Sequence, residues 1–286
     1  MDKAKLMNGV KKYTMIIVLV LVTLFFTWQT GGKILLPQNV SNLISQNAYV
    51  FVLATGMLLC ILTGGNIDLS VGSVVCFAGA VGATLMESKG MNPWAASIMM
   101  LLIGLLIGAW QAFWIAYVHV PPFITTLSGM LVFRGLSNVV LNGLTVSLTN
   151  AGFVKVFGGG AECYIPDFLG GNGFNITCML VGVIACVIYV LVQIKNRMNR
   201  AKKGYEMEAL SAMVIRTVII CAVILVFMFR LAQYKGIPTA LVWVALVVLI
   251  YGYITSKTTT GRYFYAVGGN EKATKLSGIN TNKVYF

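Results

Sequence analysis

Eight apolar stretches follow one another along the chain, at about 14–30, 43–63, 69–86, 93–118, 122–141, 176–194, 213–229 and 237–254. A helix needs roughly 20 apolar residues to cross the ~30 Å hydrocarbon core of a bilayer. In lipid every backbone amide must find a partner inside the protein, and a helix does this within one segment. The stretches at 69–86 and 213–229 are short, which leaves tilt, kinks or a partly re-entrant path open for them. Composition agrees with the pattern. Hydrophobic residues are 58% of the 286 and charged residues 10%, whereas soluble domains carry about 25% charge. An ordinary soluble enzyme and a disordered chain are both excluded. The expectation is an all-α polytopic transmembrane helical bundle with about eight spans.

Basic residues set the orientation. Placing the N-terminus in the cytoplasm puts Lys3, Lys5, Lys11 and Lys12 there, then Lys195, Arg197, Arg200, Lys202 and Lys203, then Lys257, Arg262, Lys272, Lys275 and Lys283. Only Lys33, Lys89, Lys155 and Lys235 fall on the other side. Cytoplasmic loops carry such an excess of Lys and Arg, so the N-terminus is read as cytoplasmic. The net charge of +13 is therefore topology and lipid contact. No basic stripe with interleaved aromatics points to nucleic acid. The first stretch follows a basic segment but lacks small-residue cleavage chemistry after Trp28, so it is read as an uncleaved anchor.

Several chemistries are missing. The single histidine, His119, precedes Val120, Pro121 and Pro122 at a span edge and is read as a helix-end residue near the interface. One His without a Cys cluster makes no zinc-type site, and no Ser/His/Asp set can be assembled around it. There is no P-loop; Gly158-Gly159-Gly160 is a loop. Catalytic residues, metal and cofactor are all expected to be none. Cys60, Cys76, Cys178, Cys186 and Cys221 fall inside spans and read as small packing residues. Cys163 with Cys178 is the one disulfide worth testing. Asp68 is the only carboxylate near a membrane-depth segment, where proton-coupled transporters carry several.

Three stretches carry information. Residues 64–72 read GGNIDLSVG and join two spans with almost no loop. Asn66, Asp68 and Ser70 are either polar elements of a transport path or a capped turn, with Asp68 or Ser70 as N-cap; both can hold together. In the second, Pro121 and Pro122 stop one helix and start another. Arg134 then lies about twelve residues into an apolar stretch, where a charge costs a few kcal/mol unless it pairs or snorkels. Asn138 and Asn142 follow on its face. Upstream, Gly104 and Gly108 form a small-xxx-small pair suited to close helix contact, and Trp110 and Trp114 read as interfacial anchors. The third is 258–280, where Gly268-Gly269 is a breaker. Asn270 caps a short amphipathic helix to about Leu276, with Glu271 in its first turn and Gly278 ending it.

The segments GGNIDLSVGS (64–73), VPPFITTLSGMLVFRGL (120–136) and TGRYFYAVGGNEKATKLSGIN (260–280) together resemble the membrane permease subunits of bacterial ABC importers for monosaccharides. LFFTWQTGG (24–32), NVSNLI (39–44), GAWQAFWIAY (108–117) and GIPT (236–239) place the resemblance nearest the xylose-type and multiple-sugar branch, over essentially the whole chain. It implies one permease domain over 1–286, in a multi-pass protein of the bacterial cytoplasmic membrane. Its 255–286 would be a cytoplasmic coupling loop and the start of a further span. Such permeases continue past the coupling loop, so the sequence is expected to be a partial one.

The implied mechanism is alternating access in a pair of permeases, with a second, identical copy expected. Cytoplasmic ATPase subunits and an extracytoplasmic sugar-binding protein are the other implied partners. Glu271, Ala273 and Gly278 match the coupling pattern, with Asn270 and Leu276 beside them; Lys272 stands where an alanine is common. Asn66, Asp68, Ser70, Arg134 and Asn138 are the candidates for the translocation path. The alternative is an ATP-independent secondary transporter or channel for a small polar solute. The sparse intramembrane carboxylates and the 260–280 loop speak against it.

Overall fold

The computed structural model describes residues 3–158, 163–171, 173–205 and 209–286, with backbone alone for 3–13. Gly159 and Gly160 of the glycine run lie outside the described residues, as do the side chains of Lys3, Lys5, Lys11 and Lys12. The helices are α1 (Lys3–Gln29), α2 (Pro37–Leu62), α3 (Val71–Glu87), α4 (Pro93–Ala116), α5 (Pro122–Leu141), α6 (Ala151–Phe157), α7 (Ile176–Lys202), α8 (Leu210–Ala232), α9 (Thr239–Lys257), α10 (Thr259–Gly269), α11 (Glu271–Leu276) and α12 (Thr281–Tyr285). Among the described residues the one β pairing is an isolated antiparallel bridge between Tyr164 and Pro238. Each of the eight apolar stretches is helical.

Six helices, α2, α4, α5, α7, α8 and α9, are long and apolar enough to cross a membrane. Two further apolar stretches are shorter, 14–29 of the 27-residue α1 and the whole of α3, while the stretch at 213–229, read as short, lies in the 23-residue α8. α3 has 17 residues, about 26 Å at 1.5 Å each. The Gly64-to-Ser70 connector takes the rest of that apolar stretch out of the helix. The apolar faces are largely uncovered: Leu101, Leu105 and Leu106 of α4 and Leu249 of α9 are all exposed. In water such a surface would aggregate; in lipid it is the outside of the protein.

The chain forms two compact units, Met1–Gln46 with Tyr164–Pro238, and Asn47–Cys163 with Thr239–Phe286. In the first, α7 and α8 pack as an antiparallel pair along a stripe of small residues, Cys178, Gly182 and Cys186. A Cβ on Gly182 would lie 2.9 Å from Met228 Cβ, so the helices touch there backbone to side chain. Asn175 caps α7 by accepting from Cys178 N at 2.8 Å, and its own N–H donates to Ala232 O at 2.9 Å. All six cysteines are free thiols. Cys163 and Cys178 are both free, and each thiol donates to a helix carbonyl: Cys163 to Val154 O and Cys178 to Met228 O.

The turn before α7 hangs on one carboxylate. Asp167 accepts from the Thr177 hydroxyl at 2.6 Å and from the backbone N–H groups of Leu169, Gly171, Ile176 and Thr177 at 2.9–3.1 Å. The Thr177 hydroxyl and then those amides hold its carboxyl well below the usual carboxylate range. A depressed folded pKa contributes stability that is present above the unfolded value of 3.8 and lost as pH falls below it. The turn should therefore hold unchanged from pH 7 to 5 and loosen only in stronger acid. Asp167→Asn should raise amide hydrogen exchange across 168–177 roughly tenfold at neutral pH, because the amide has lost half its acceptors. Unchanged protection in that variant would sink the assignment.

In the second unit α3 is sandwiched between α4 and α5. Small residues allow it: Ala78, Ala80 and Gly82 on α3, Ala96 and Ala116 on α4, and Thr125, Thr126, Gly129 and Ser137 on α5 are buried. Phe77 meets Phe133 at 5.7 Å, and Met86, Ala96 and Phe153 form a small apolar cluster. Gly104 and Gly108 have no atom near where a Cβ would stand. They do not serve a helix contact within the described residues; the missing side chains open a cavity instead. Trp110 and Trp114 are exposed and meet edge to face at 6.4 Å. His119 is exposed, in a left-handed turn (φ 61°) between α4 and α5.

Candidate functional site

A cavity of about 450 Å³ lies within the second unit, lined among others by Thr63, Asn66, Asp68, Gln111, Thr126 and Tyr285. Ligand clefts run from about 300 to 1,000 Å³. Its floor is the connector between α2 and α3. Gly64 and Gly65 take φ of +117° and +78°, backbone that side chains with a Cβ rarely adopt, and Gly65 N donates to Ile61 O at 2.8 Å. The double glycine thus closes α2 and turns the chain at once, leaving Asn66 to Ser70 outside any helix.

Asp68 Oδ1 accepts from Ser70 N at 2.8 Å and from Ser70 Oγ at 2.6 Å. Ser70 occupies the N-cap position of α3, but its hydroxyl makes no cap bond; it reaches Gln111 Oε1 at 2.9 Å. A hydroxyl has one proton and cannot be given to both. With Oε1 turned to Ser70, Gln111 Nε2 is buried and has no partner among the described residues. Turning the amide over resolves the shared proton: Ser70 donates to Asp68 and accepts from Gln111 NH₂, and Gln111 Oε1 takes the buried position that Nε2 had. The chain Asp68–Ser70–Gln111 then ties connector, α3 and α4 together. Thr126 of α5 adds a fourth element, donating to Pro122 O at 2.8 Å and lying 3.3 Å from Ile67 O.

Of the path candidates, Asn66 and Asp68 line this cavity and Ser70 is bonded into its wall. Arg134 and Asn138 are exposed further along α5 and do not line it. Asn142 leaves their face, because α5 ends at Leu141 and Asn142 turns left-handed (φ 50°). Gln111 was missed in the sequence. The signal was available: it is the sole amide in a 24-residue apolar helix, and polar groups at such positions mark function or a buried partner.

The C-terminal segment is more helical than its glycines suggest. α10, capped by Thr258, runs through Gly268 and Gly269. The break falls at Asn270, in extended backbone, whose side chain accepts from Ala273 N at 3.0 Å and starts α11. Gly278 N donates to Lys275 O at 3.1 Å just beyond the helix. Gly268 was read as a breaker; it is a seat. A Cβ there would run into the carbonyl oxygen of Leu62. The carbonyl that ends α2 and the connector's Gly64 thus lie directly under α10. Leu276 is 90% exposed at the end of α11.

The profile of the family described as "Branched-chain amino acid transport system / permease component" matches residues 39–286. The xylose transport system permease protein XylH of Escherichia coli K12 is 37% identical over 271 residues, 95% of this chain and 66% of that protein. XylH of Haemophilus influenzae is 35% identical over 283 residues, 99% and 72% of the two chains. The ribose import permease protein RbsC of E. coli K12 is 30% identical over 246 residues, 86% and 54%. The chain thus spans about two thirds of the length of the E. coli XylH protein. No solved structure matches it. Six membrane-length helices and these matches together make it a multi-pass membrane protein, and the chain belongs to the branched-chain amino acid transport system / permease component family.

Proposed function

We propose that the protein is the transmembrane permease subunit of an ATP-driven importer that moves a xylose-type monosaccharide across the bacterial cytoplasmic membrane by alternating access. The observation that carries this reading is the match to two xylose permeases over 95% and 99% of the chain. The reading makes 1–286 one permease domain, with a cytoplasmic N-terminus and a cytoplasmic segment at 255–286. ATP is hydrolysed on separate cytoplasmic subunits, and a sugar-binding protein delivers solute from outside. A second permease copy completes the path, and lipid covers the apolar faces.

Asn66, Asp68 and Ser70, joined by Gln111, form the polar part of the path in this reading; Arg134 and Asn138 belong to it at another level of α5. Asn270, Glu271, Ala273, Leu276 and Gly278 form the contact with the ATPase. The exposed Leu276 suits such a contact, since an uncovered leucine on a rigid short helix is an anchor for a pocket. Asp68 is well placed to hold a sugar hydroxyl, having Oδ2 free of the Ser70 bonds. The test is reconstitution of the full-length protein with its ATPase and binding protein in lipid. Sugar-loaded binding protein should stimulate ATP hydrolysis and sugar uptake, and Asp68→Ala should cut uptake about tenfold, equivalent to about 1.4 kcal/mol. Uptake driven by an ion gradient without ATP would replace this reading with a secondary transporter.

A further inference from the structure

The last helix joins the two functional regions. α12, capped by Asn280 through Lys283 N at 3.1 Å, packs against α4, α10 and α11. It carries Tyr285, which is half-buried and does two things at once. Its ring lines the cavity beside Asn66, Asp68 and Gln111. Its hydroxyl donates to Glu271 Oε2 at 2.9 Å. The same hydroxyl lies over the connector: a Cβ on Gly64 would stand 3.4 Å from Tyr285 Oη and 3.9 Å from Cε1 of its ring. Phe286 continues the contact onto α4, meeting the Tyr117 ring at 5.7 Å.

We propose that Tyr285 is a positioning residue that transmits movement of α11 to the connector, through a phenol hydroxyl that is bonded to Glu271 and also lies against Gly64. The proposal rests on the importer reading and names how its two sites communicate. Glu271 is in the first turn of α11, the element set against the ATPase in that reading. A shift of α11 pulls or releases the phenol, and the phenol lies on the turn that holds Asn66 and Asp68. Burial, and then the neighbouring Glu271 carboxylate, push the Tyr285 phenol up to about 12, so it keeps its proton at any physiological pH and the bond does not switch with pH.

The test uses the full-length permease assembled with its ATPase and binding protein in lipid, and reads sugar moved per ATP hydrolysed. Tyr285→Phe keeps the ring and removes the donor; the ratio should fall at least fivefold, with the KM for ATP changed less than twofold. Glu271→Ala should lower the ratio as well, and Glu271→Gln should lower it less, because its amide oxygen still accepts. The double variant Tyr285→Phe/Glu271→Ala should be no worse than the poorer single. A wild-type ratio in Tyr285→Phe, or losses that multiply in the double variant, would overturn the proposal. Failure of sugar to stimulate hydrolysis in the wild-type assembly would instead overturn the importer reading on which it rests.

Discussion

Gly268→Ala should nearly eliminate sugar uptake while the protein still inserts in the membrane. The added methyl would meet the Leu62 carbonyl oxygen, with the carbonyl carbon 3.0 Å away and Gly64 N at 3.5 Å. These are backbone atoms at the end of a membrane-length helix, and no rotamer change moves them aside. Overpacking of this kind costs about 1–3 kcal/mol, occasionally more, so α10 must lift from the connector. The neighbouring glycine supplies the control. Gly269 has nothing within 4 Å of the same point, and Gly269→Ala should behave as wild type. Uptake by the reconstituted assembly decides it: equal activity in the two alanine variants would show that the seat on Leu62 is dispensable.

Gly129→Ala should cost most of the stability of the α3–α4–α5 packing, and a second substitution should give part of it back. A Cβ on Gly129 would collide with the end of the Gln111 amide, lying 3.3 Å from Gln111 Cδ and 3.4 Å from Ser70 Cβ. The amide would have to leave Ser70, and a buried amide without partners costs about 1–3 kcal/mol. Gln111→Ala in the same chain removes the colliding group and makes room for the methyl. The thermal unfolding midpoint of the purified protein in detergent should fall in each single variant. In the double variant it should recover to above the sum of the two losses, because the residues are in contact and do not act independently. Simply additive losses would show that Gln111 and Gly129 do not share the space.

The helices were legible because lipid imposes one rule on the whole chain: apolar length sets a span, and Asn, Thr or Pro at its start fixes where it begins. Asn92, Asn175, Asn270 and Pro122 each stand at the ends their chemistry suggests. Glycine was the residue read least well. Gly104 and Gly108 have the spacing of a helix contact but border a cavity, and Gly268 has the look of a breaker but sits inside a helix against a carbonyl. A missing side chain says only that something comes close or that space is left; which of these holds is decided by residues far away in sequence. Gln111 was hidden for the same reason. Its importance lies in Ser70, 41 positions earlier, and no local pattern joins the two. Asp68 and Ser70 could be seen as a pair because they are two residues apart.

Where the chain departs into 164–238 and where it returns, it is fastened shut. Ile165 N donates to Ile237 O at 2.9 Å beside the Tyr164–Pro238 bridge, and Thr239 N donates to Cys163 O at 3.0 Å. An excursion whose two ends are already side by side can lengthen or shorten at small cost, since closure entropy grows only slowly with the number of residues enclosed. A change of length in 164–238 is thus expected to cost little at this clasped neck.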